Sequence, residues 1–485
     1  MSYYNKFPAY RQWPLKRRSI HLPRIPLLNH ETPIVNLGSC FGETLQLFLD
    51  MYHFNIIEPQ AGYKYSCQSI LREISWAAHG KTTTADMLYL GEKGYTDFNH
   101  HRIFDTDRTS YLSKINAIER NVRNALCTAE VVILTPSLTE VWKNRKTGEY
   151  ILHPYPGVMR DAGDFQVEFL TVADNVEHLR QIRDILLDFN RDMKIIANLC
   201  PTPLRMTHSD NDVILANNAS KAILYAALQE FCSSNENTYY FPGFDIVTQE
   251  LADSIYYTED NRHLTHDSLK YYMHRFCHMF CSEESIEIMS VLDSMHASTL
   301  NRQEHMIQRL KELNYNQDLL LIKQANIFLA KGMTRQAFDA LCEISLLAES
   351  PAILLNLGLI LLEMGVHAKA RHFLSRALDL LQEIPALAFE MADKSSRIRF
   401  GDSHMYPQRN ISVQRSATLK TMYNFIKELL DIFPAKPGTE LRKLAFSDTL
   451  AHNLFPFDLN TTGRYPAMPD HLSANPHGLH DASCY

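Results

Sequence analysis

What the sequence lacks narrows it first. No apolar run is long enough to span a membrane, and the N-terminal stretch has no apolar segment fit for a signal peptide, so a cytoplasmic protein is expected. Positive charge is not in excess. Lys and Arg number 48 against 55 Asp and Glu, and the net charge of −7 argues against a nucleic-acid partner. Cysteine offers no disulfide framework: its nine residues are odd in number, scattered and mostly set in apolar segments, which points to reduced thiols. What remains is an ordinary globular composition, 45% hydrophobic and 21% charged over 485 residues, enough for two or three domains.

One stretch organises the rest. Pro33–Gly42 reads P-I-V-N-L-G-S-C-F-G, a short apolar run that stops at Gly38. Glu43–Phe54 follows with a dense apolar pattern, so the stretch reads as strand, tight turn and helix. Ser39 and Cys40 are two adjacent candidate nucleophiles on that turn. Backbone N–H groups of the helix would face whatever they attack. By itself the stretch reads more readily as a glycine-containing βα turn with a buried Cys. Far along the chain, Asp260-Asn261-Arg262-His263 sets a carboxylate three residues before an imidazole. On a helical turn or tight loop the Asp can orient the His, and the His can serve a nucleophile as base.

The order Gly38-Ser39-Cys40-Phe41 early and Asp260-x-x-His263 late resembles the GSCFA family, a branch of the SGNH/GDSL-type hydrolase-like superfamily. Leu134–Trp142, Pro201–Arg205, Asn217–Lys221 and Tyr240–Asp245 resemble its further blocks. Two positions depart from the pattern, Gly42 where the family name has Ala and Ser137 where Gly is expected. The resemblance covers the first 285 residues or so. It implies an α/β fold, a three-layer SGNH-hydrolase-like sandwich with a parallel sheet. It also implies a site built on Cys40 or Ser39 with His263 and Asp260. Aligning the turn on the superfamily's Gly-Asp-Ser puts Cys40 at the nucleophile position. Gly62 falls where the superfamily keeps an oxyanion-facing glycine, although a loop glycine before a helix reads the same way. Thr139 falls about where related hydrolases use an Asn to donate to the oxyanion.

Other elements follow from pattern. Phe54–Glu58 reads as a short strand, Tyr65–Ala78 as a helix, and Ala129–Thr135 as a central buried strand. Ser137, Thr139 and Glu140 lie just beyond it, where open α/β sheets place ligands, with Gly38, Glu140 and Trp142 as candidate pocket residues. Trp142 fits a pocket wall or plain core. Asp174–Phe189 is an amphipathic helix, Lys194–Ala197 a strand, Leu204–Asn218 an excursion over the site, Ala219–Phe231 a helix and Tyr239–Phe241 a last strand. His274, Cys277, His278 and Cys281 recur on one helix, but one rigid helix does not wrap four ligands around an ion, and no metal is expected.

From about residue 286 the pattern is helical throughout. Ala325, Gly332, Ala337 and Leu341 recur 33 residues later as Gly358, Gly365, Ala370 and Leu374. This resembles the tetratricopeptide repeat, implying an α-helical solenoid after the α/β domain. The expected divisions are a strap at 1–29, the hydrolase-like domain at 30–285, connecting helices at 286–317, repeats at 318–385, a helical cap at 386–456 and a tail at 457–485. The favoured activity is hydrolysis of an ester-linked acyl group on a small polar metabolite or a glycan, without a cofactor. The alternatives are an acyltransferase using acyl-coenzyme A and a non-catalytic binder, with the repeats as a surface for a protein partner.

Overall fold

The computed structural model describes residues 19–57, 62–91, 93–100, 103–152, 162–252, 256–296, 298–345 and 351–383, with five further residues between 424 and 430. Most of the expected strap, the cap and the tail lie outside the described residues.

The centre is a four-stranded parallel sheet. It comprises β1 (Ile34–Gly38), β4 (Val131–Thr135), β8 (Lys194–Asn198) and β9 (Thr238–Phe241), side by side in that order. Its residues divide by alternation. Ile34, Val131, Ile133 and Ile196 pack into one apolar cluster, and Val35, Leu37, Val132, Leu134, Ile195 and Ala197 into another. A sheet buried on both faces requires such near-continuous apolar strands, which is why β1 and β4 read so plainly.

Helices cover both faces. On the first lie α1 (Cys40–Met51), α7 (His266–Phe280), α8 (Glu283–His296) and α9 (Leu300–Glu312). On the second lie α2 (Cys67–His79), α4 (Val172–Phe189) and α5 (Val213–Ser234), with part of α3 (Arg108–Thr128). Residues 20–28 run along the end of α7, with Ile25 N donating to Met279 O at 2.7 Å and Leu27 N to Phe280 O at 2.8 Å. Two small antiparallel sheets flank the main one. One pairs β2 (Tyr89–Gly91) with β3 (Gly94–Thr96), and the other joins β5 (Glu140–Asn144), β6 (Tyr150–Ile151) and β7 (Phe165–Phe169). A single turn, α6 (Gly243–Asp245), follows β9 and continues into a π-helical turn.

Several boundaries shift by two or three residues from expectation, and two differ by more in kind or extent. Phe54–Ile57 makes only a bridge, Ile56 beside Ile34, because it lies at the sheet edge and turns away after one pair of hydrogen bonds. The helix expected from Ala219 begins at Val213. The Asp212 carboxylate caps it, accepting from Ile214 N at 2.8 Å, so residues 213–218 are helix and not excursion.

Beyond α9, α10 (Gln317–Ala330) packs on α11 (Thr334–Cys342), and α12 (Pro351–Glu363) on α13 (His367–Glu383). Ala325, Ala337 and Ala370 are fully buried in one cluster with Leu341 and Leu374. Gly332 and Gly365 close the first helix of each pair at φ of 73° and 74°. Ile426 and Leu429 join this cluster. Among the described residues no helix is long and apolar enough to cross a membrane.

Candidate active site

The parallel strands all end on one edge, and Gly38, Ser39 and Cys40 lie at the end of β1 there. Gly38 ends β1 so close to β4 that a Cβ would lie 2.6 Å from Thr135 O; only glycine fits. Ser39 N then donates to Thr135 O at 3.0 Å, and α1 starts at Cys40. Gly42 sits close to the sheet, where a Cβ would lie 2.9 Å from the Asn36 side-chain amide.

The two adjacent nucleophile candidates diverge. Ser39 is 1% exposed, and its Oγ has no partner among the described residues. Cys40 is partly exposed at the N-terminus of α1. Tyr63, Lys64 and Tyr65 run beside this turn, Lys64 N donating to Gly38 O at 2.8 Å. Gly62 precedes them, exposed, at φ 68°.

Tyr65 O in turn accepts from Ser137 N at 2.7 Å and Leu138 N at 3.2 Å, which fixes the segment after β4. Helix α5 grips the same segment. Ser220 Oγ lies 2.9 Å from Thr139 Oγ1, and Lys221 Nζ donates to Ser137 O at 2.8 Å. Thr139 is thus buried and engaged. Lys221 is 3% exposed, and burial pulls its pKa below the ordinary lysine value. The Cys200 and Cys40 thiols oppose that shift and the Arg262 guanidinium adds to it, so these side chains share one field.

The Asp260–His263 turn sits over the end of β8, with Arg262 Nε donating to Pro203 O at 3.2 Å and Tyr257 OH to Pro201 O at 2.9 Å. Asp260 Oδ1 accepts from Arg262 N at 2.9 Å and His263 N at 3.0 Å, while Oδ2 bonds His263 Nδ1. Burial raises the Asp260 carboxyl, but the His263 N–H, the Thr258 hydroxyl, the Arg262 N–H and the His263 imidazole outweigh it and hold the pKa down to about 2. An ionised Asp260 favours the imidazole proton on Nδ1.

Glu140 and Trp142 stand apart from this cluster, in a groove with Tyr65, Leu138, Met206 and His208. Glu140 accepts from the Thr207 hydroxyl and from His208 N at 3.0 Å, and the His208 ring meets Trp142 edge-on at 4.6 Å between centroids. Cys277 in α7 and Cys281 just after it are core, 2% and 0% exposed, and His274 packs edge-on to Phe48. Among the described residues no three His, Cys, Asp or Glu side chains are grouped to hold a metal.

Sequence reading passed over Lys221 as a site residue, because a lysine inside a helix carries no local mark of burial. It also passed over Asp97-Phe98-Asn99-His100, although the spacing equals that of Asp260–His263.

A parallel α/β domain with its polar side chains drawn to the C-terminal ends of the strands is the class these features define. The chain belongs to the GSCFA family, whose model matches residues 33–276. No curated protein matches it.

Proposed function

We propose that the α/β domain is an SGNH-type acyl hydrolase acting on an ester of a small polar metabolite or a glycan, with Cys40 as nucleophile, His263 as base and acid, and Asp260 as its orienter. What supports this reading is the Asp260–His263 pair, with the imidazole 14% exposed on a turn tied by Arg262 and Tyr257 to the segment after β8. The Cys40 thiolate attacks the ester carbonyl carbon, forming a C–S bond and an oxyanion. Collapse breaks the C–O bond, and the His263 imidazolium gives its proton to the departing alkoxide. Water, deprotonated by His263 Nε2, then attacks the thioester and releases acid and thiolate. The backbone N–H groups of Cys40 and Gly62 would face the oxyanion. Thr139 joins them only if Ser220 donates to it and frees its proton. The partly exposed thiol, beside a sealed Ser39, is why Cys40 takes the role.

The test is a panel of aryl esters with mass spectrometry of the quenched protein. Wild type should turn over at least one ester and carry an acyl group on Cys40, and His263→Ala should lose about 10²–10⁴ in rate. Acylation of Ser39 instead, or turnover unchanged in Cys40→Ala, sinks the reading. Thermal stabilisation by coenzyme A would redirect it to acyl transfer.

The two helix pairs from α10 to α13 fit a tetratricopeptide-like unit docking a protein partner, supported by the 33-residue recurrence of small buried residues. Ala370→Arg should unfold this unit, since Ala370 is fully buried and a charge there has no partner. A normal melt by circular dichroism would count against it. The eight described cysteines, all free thiols, fit a reducing cytoplasm.

A further inference from the structure

Residues 62–66 pass the end of β1 on the way to α2 without regular structure. A segment with no ladder of its own is placed by whatever tethers it. The Tyr63 hydroxyl donates to Glu43, in the first turn of α1, at 2.6 Å. Lys64 N donates to Gly38 O at 2.8 Å, and Tyr65 O accepts from Ser137 N and Leu138 N after β4. Ser66 caps α2, accepting from Ser69 N at 3.1 Å. The tether deepest in the protein is an ion pair: Lys64 Nζ lies 3.3 Å from Glu73 Oε2 of α2, and each side chain is 3% exposed. Arg72 Nη1 stands farther from the same oxygen, at 3.9 Å, with its guanidinium over the Trp76 ring. Lys64 is therefore where two tethers meet, its main chain on the turn that carries Ser39 and Cys40 and its side chain on α2. An ion pair sealed from water gains little net stability, because desolvation of both charges offsets their attraction. What such a pair does fix is the distance between the two segments that carry it.

We propose that Lys64 and Glu73 are positioning residues for the ester hydrolysis, the buried pair setting how closely the main chain from Gly62 to Tyr65 lies beside the Gly38–Cys40 turn, and so where the Gly62 N–H stands relative to Cys40. The proposal rests on the hydrolase reading and on Gly62 as an oxyanion donor. Neither side chain is asked to touch substrate or to move a proton. Their effect travels through the Lys64 N–H bond to Gly38 and through two residues of main chain to Gly62.

The test uses the full chain and the panel of aryl esters, with kcat and KM read separately beside urea unfolding. Lys64→Met/Glu73→Gln removes both charges at nearly constant volume, so neither partner is left as an unpaired buried ion, and the urea midpoint should stay near that of wild type. Its kcat should fall about tenfold or more with KM within about twofold, because an oxyanion donor acts only in the transition state. A pair that merely holds the fold would give the opposite split, a lower urea midpoint with kcat unchanged in the folded protein. If the double variant does not fold, Glu73→Asp keeps both charges and draws the carboxylate back by one methylene; its kcat should fall about threefold or more at unchanged KM. An unchanged kcat in either folded variant overturns the positioning role while leaving nucleophile and base in place. A wild type that turns over no ester of the panel overturns the hydrolase reading and this proposal with it.

Discussion

The chain builds the same turn twice. In Asp97–His100, Oδ1 accepts from Asn99 N at 2.6 Å and His100 N at 2.9 Å, and Oδ2 lies 2.8 Å from His100 Nδ1. Asp260–His263 repeats each of these bonds. An Asp whose carboxylate closes a turn on its own backbone brings an imidazole three residues on into reach, so the pairing is a local folding event. The surroundings differ. The Asp97 and His100 side chains are 3% and 1% exposed, and His100 Nε2 is sealed without a partner among the described residues. Tyr111 OH donates to Asp97 at 3.1 Å, and Glu73, paired with Lys64 at 3.3 Å, lies within the His100 field. Asp260 is 42% exposed and His263 14%, at the mouth of the parallel sheet. An Asp-x-x-His spacing therefore marks a turn; its exposure is what differs between the two, and a catalytic use is proposed only for the exposed one.

The largest effect that sharpens this contrast is on stability. Asp97→Ala strands His100, Tyr111 and two backbone N–H groups in the interior, and should cost about 3–5 kcal/mol, as expected for breaking a buried charged network. Asp260→Ala should cost under about 1 kcal/mol, because solvent screens a half-exposed pair, yet remove most of the ester turnover. Urea unfolding and initial rates on the same preparations check both. Equal destabilisation by the two variants would break the comparison. A smaller effect separates the imidazoles. His100→Gln in folded protein should leave the rate of Cys40 alkylation near wild type, whereas His263→Gln should slow it about tenfold or more. Slowing by both would place the buried turn in the chemistry as well.

How much of this the sequence reveals depends on how local each signal is. β1, β4 and β8 are legible because a strand buried on both faces is apolar throughout, and the Gly38–Cys40 turn because a close approach excludes other residues. The repeat is legible because its small residues recur where helices touch. The sheet of β5, β6 and β7 is not, since E-V-W-K-N shows no clear alternation, runs from buried to half-buried, and carries no long apolar run. Lys221 is hidden for another reason. Its hydrogen-bond partner, Ser137, is 84 residues away in sequence. The groove between Trp142 and His208 is likewise set by contacts that no spacing rule foresees. The two Asp-x-x-His pairs are closed by their own backbone, whereas Lys221 is held by a residue distant in sequence.

The smallest expected effect is on the acid limb of stability, and it follows from sign. Burial raises the Asp97 carboxyl, but the His100 charge and hydrogen bond, the Asn99 N–H and the Arg72 guanidinium drive its pKa well below the ordinary range. Asp260 is held down to about 2 by the bonds around its turn. A carboxyl depressed in the folded state contributes stability that is fully present above its unfolded pKa of about 3.9, and this is lost as pH falls toward the folded value. Wild type should therefore lose stability progressively from about pH 4 toward pH 2, with both turns contributing. Asp260→Asn removes a half-exposed contribution that solvent screens, so its curve of unfolding free energy against pH should run nearly parallel to wild type, flattened by only a few tenths of a kcal/mol. Asp97→Asn removes the buried contribution. Its curve should start lower at pH 7 and fall less steeply below pH 4, because the group whose protonation destabilises wild type is gone. Unfolding in urea at pH 7, 5, 4 and 3 resolves the slopes. Should Asp260→Asn flatten the acid limb more than Asp97→Asn does, the exposed turn would be the stronger structural clamp and the assignment of roles to the two turns would be reversed.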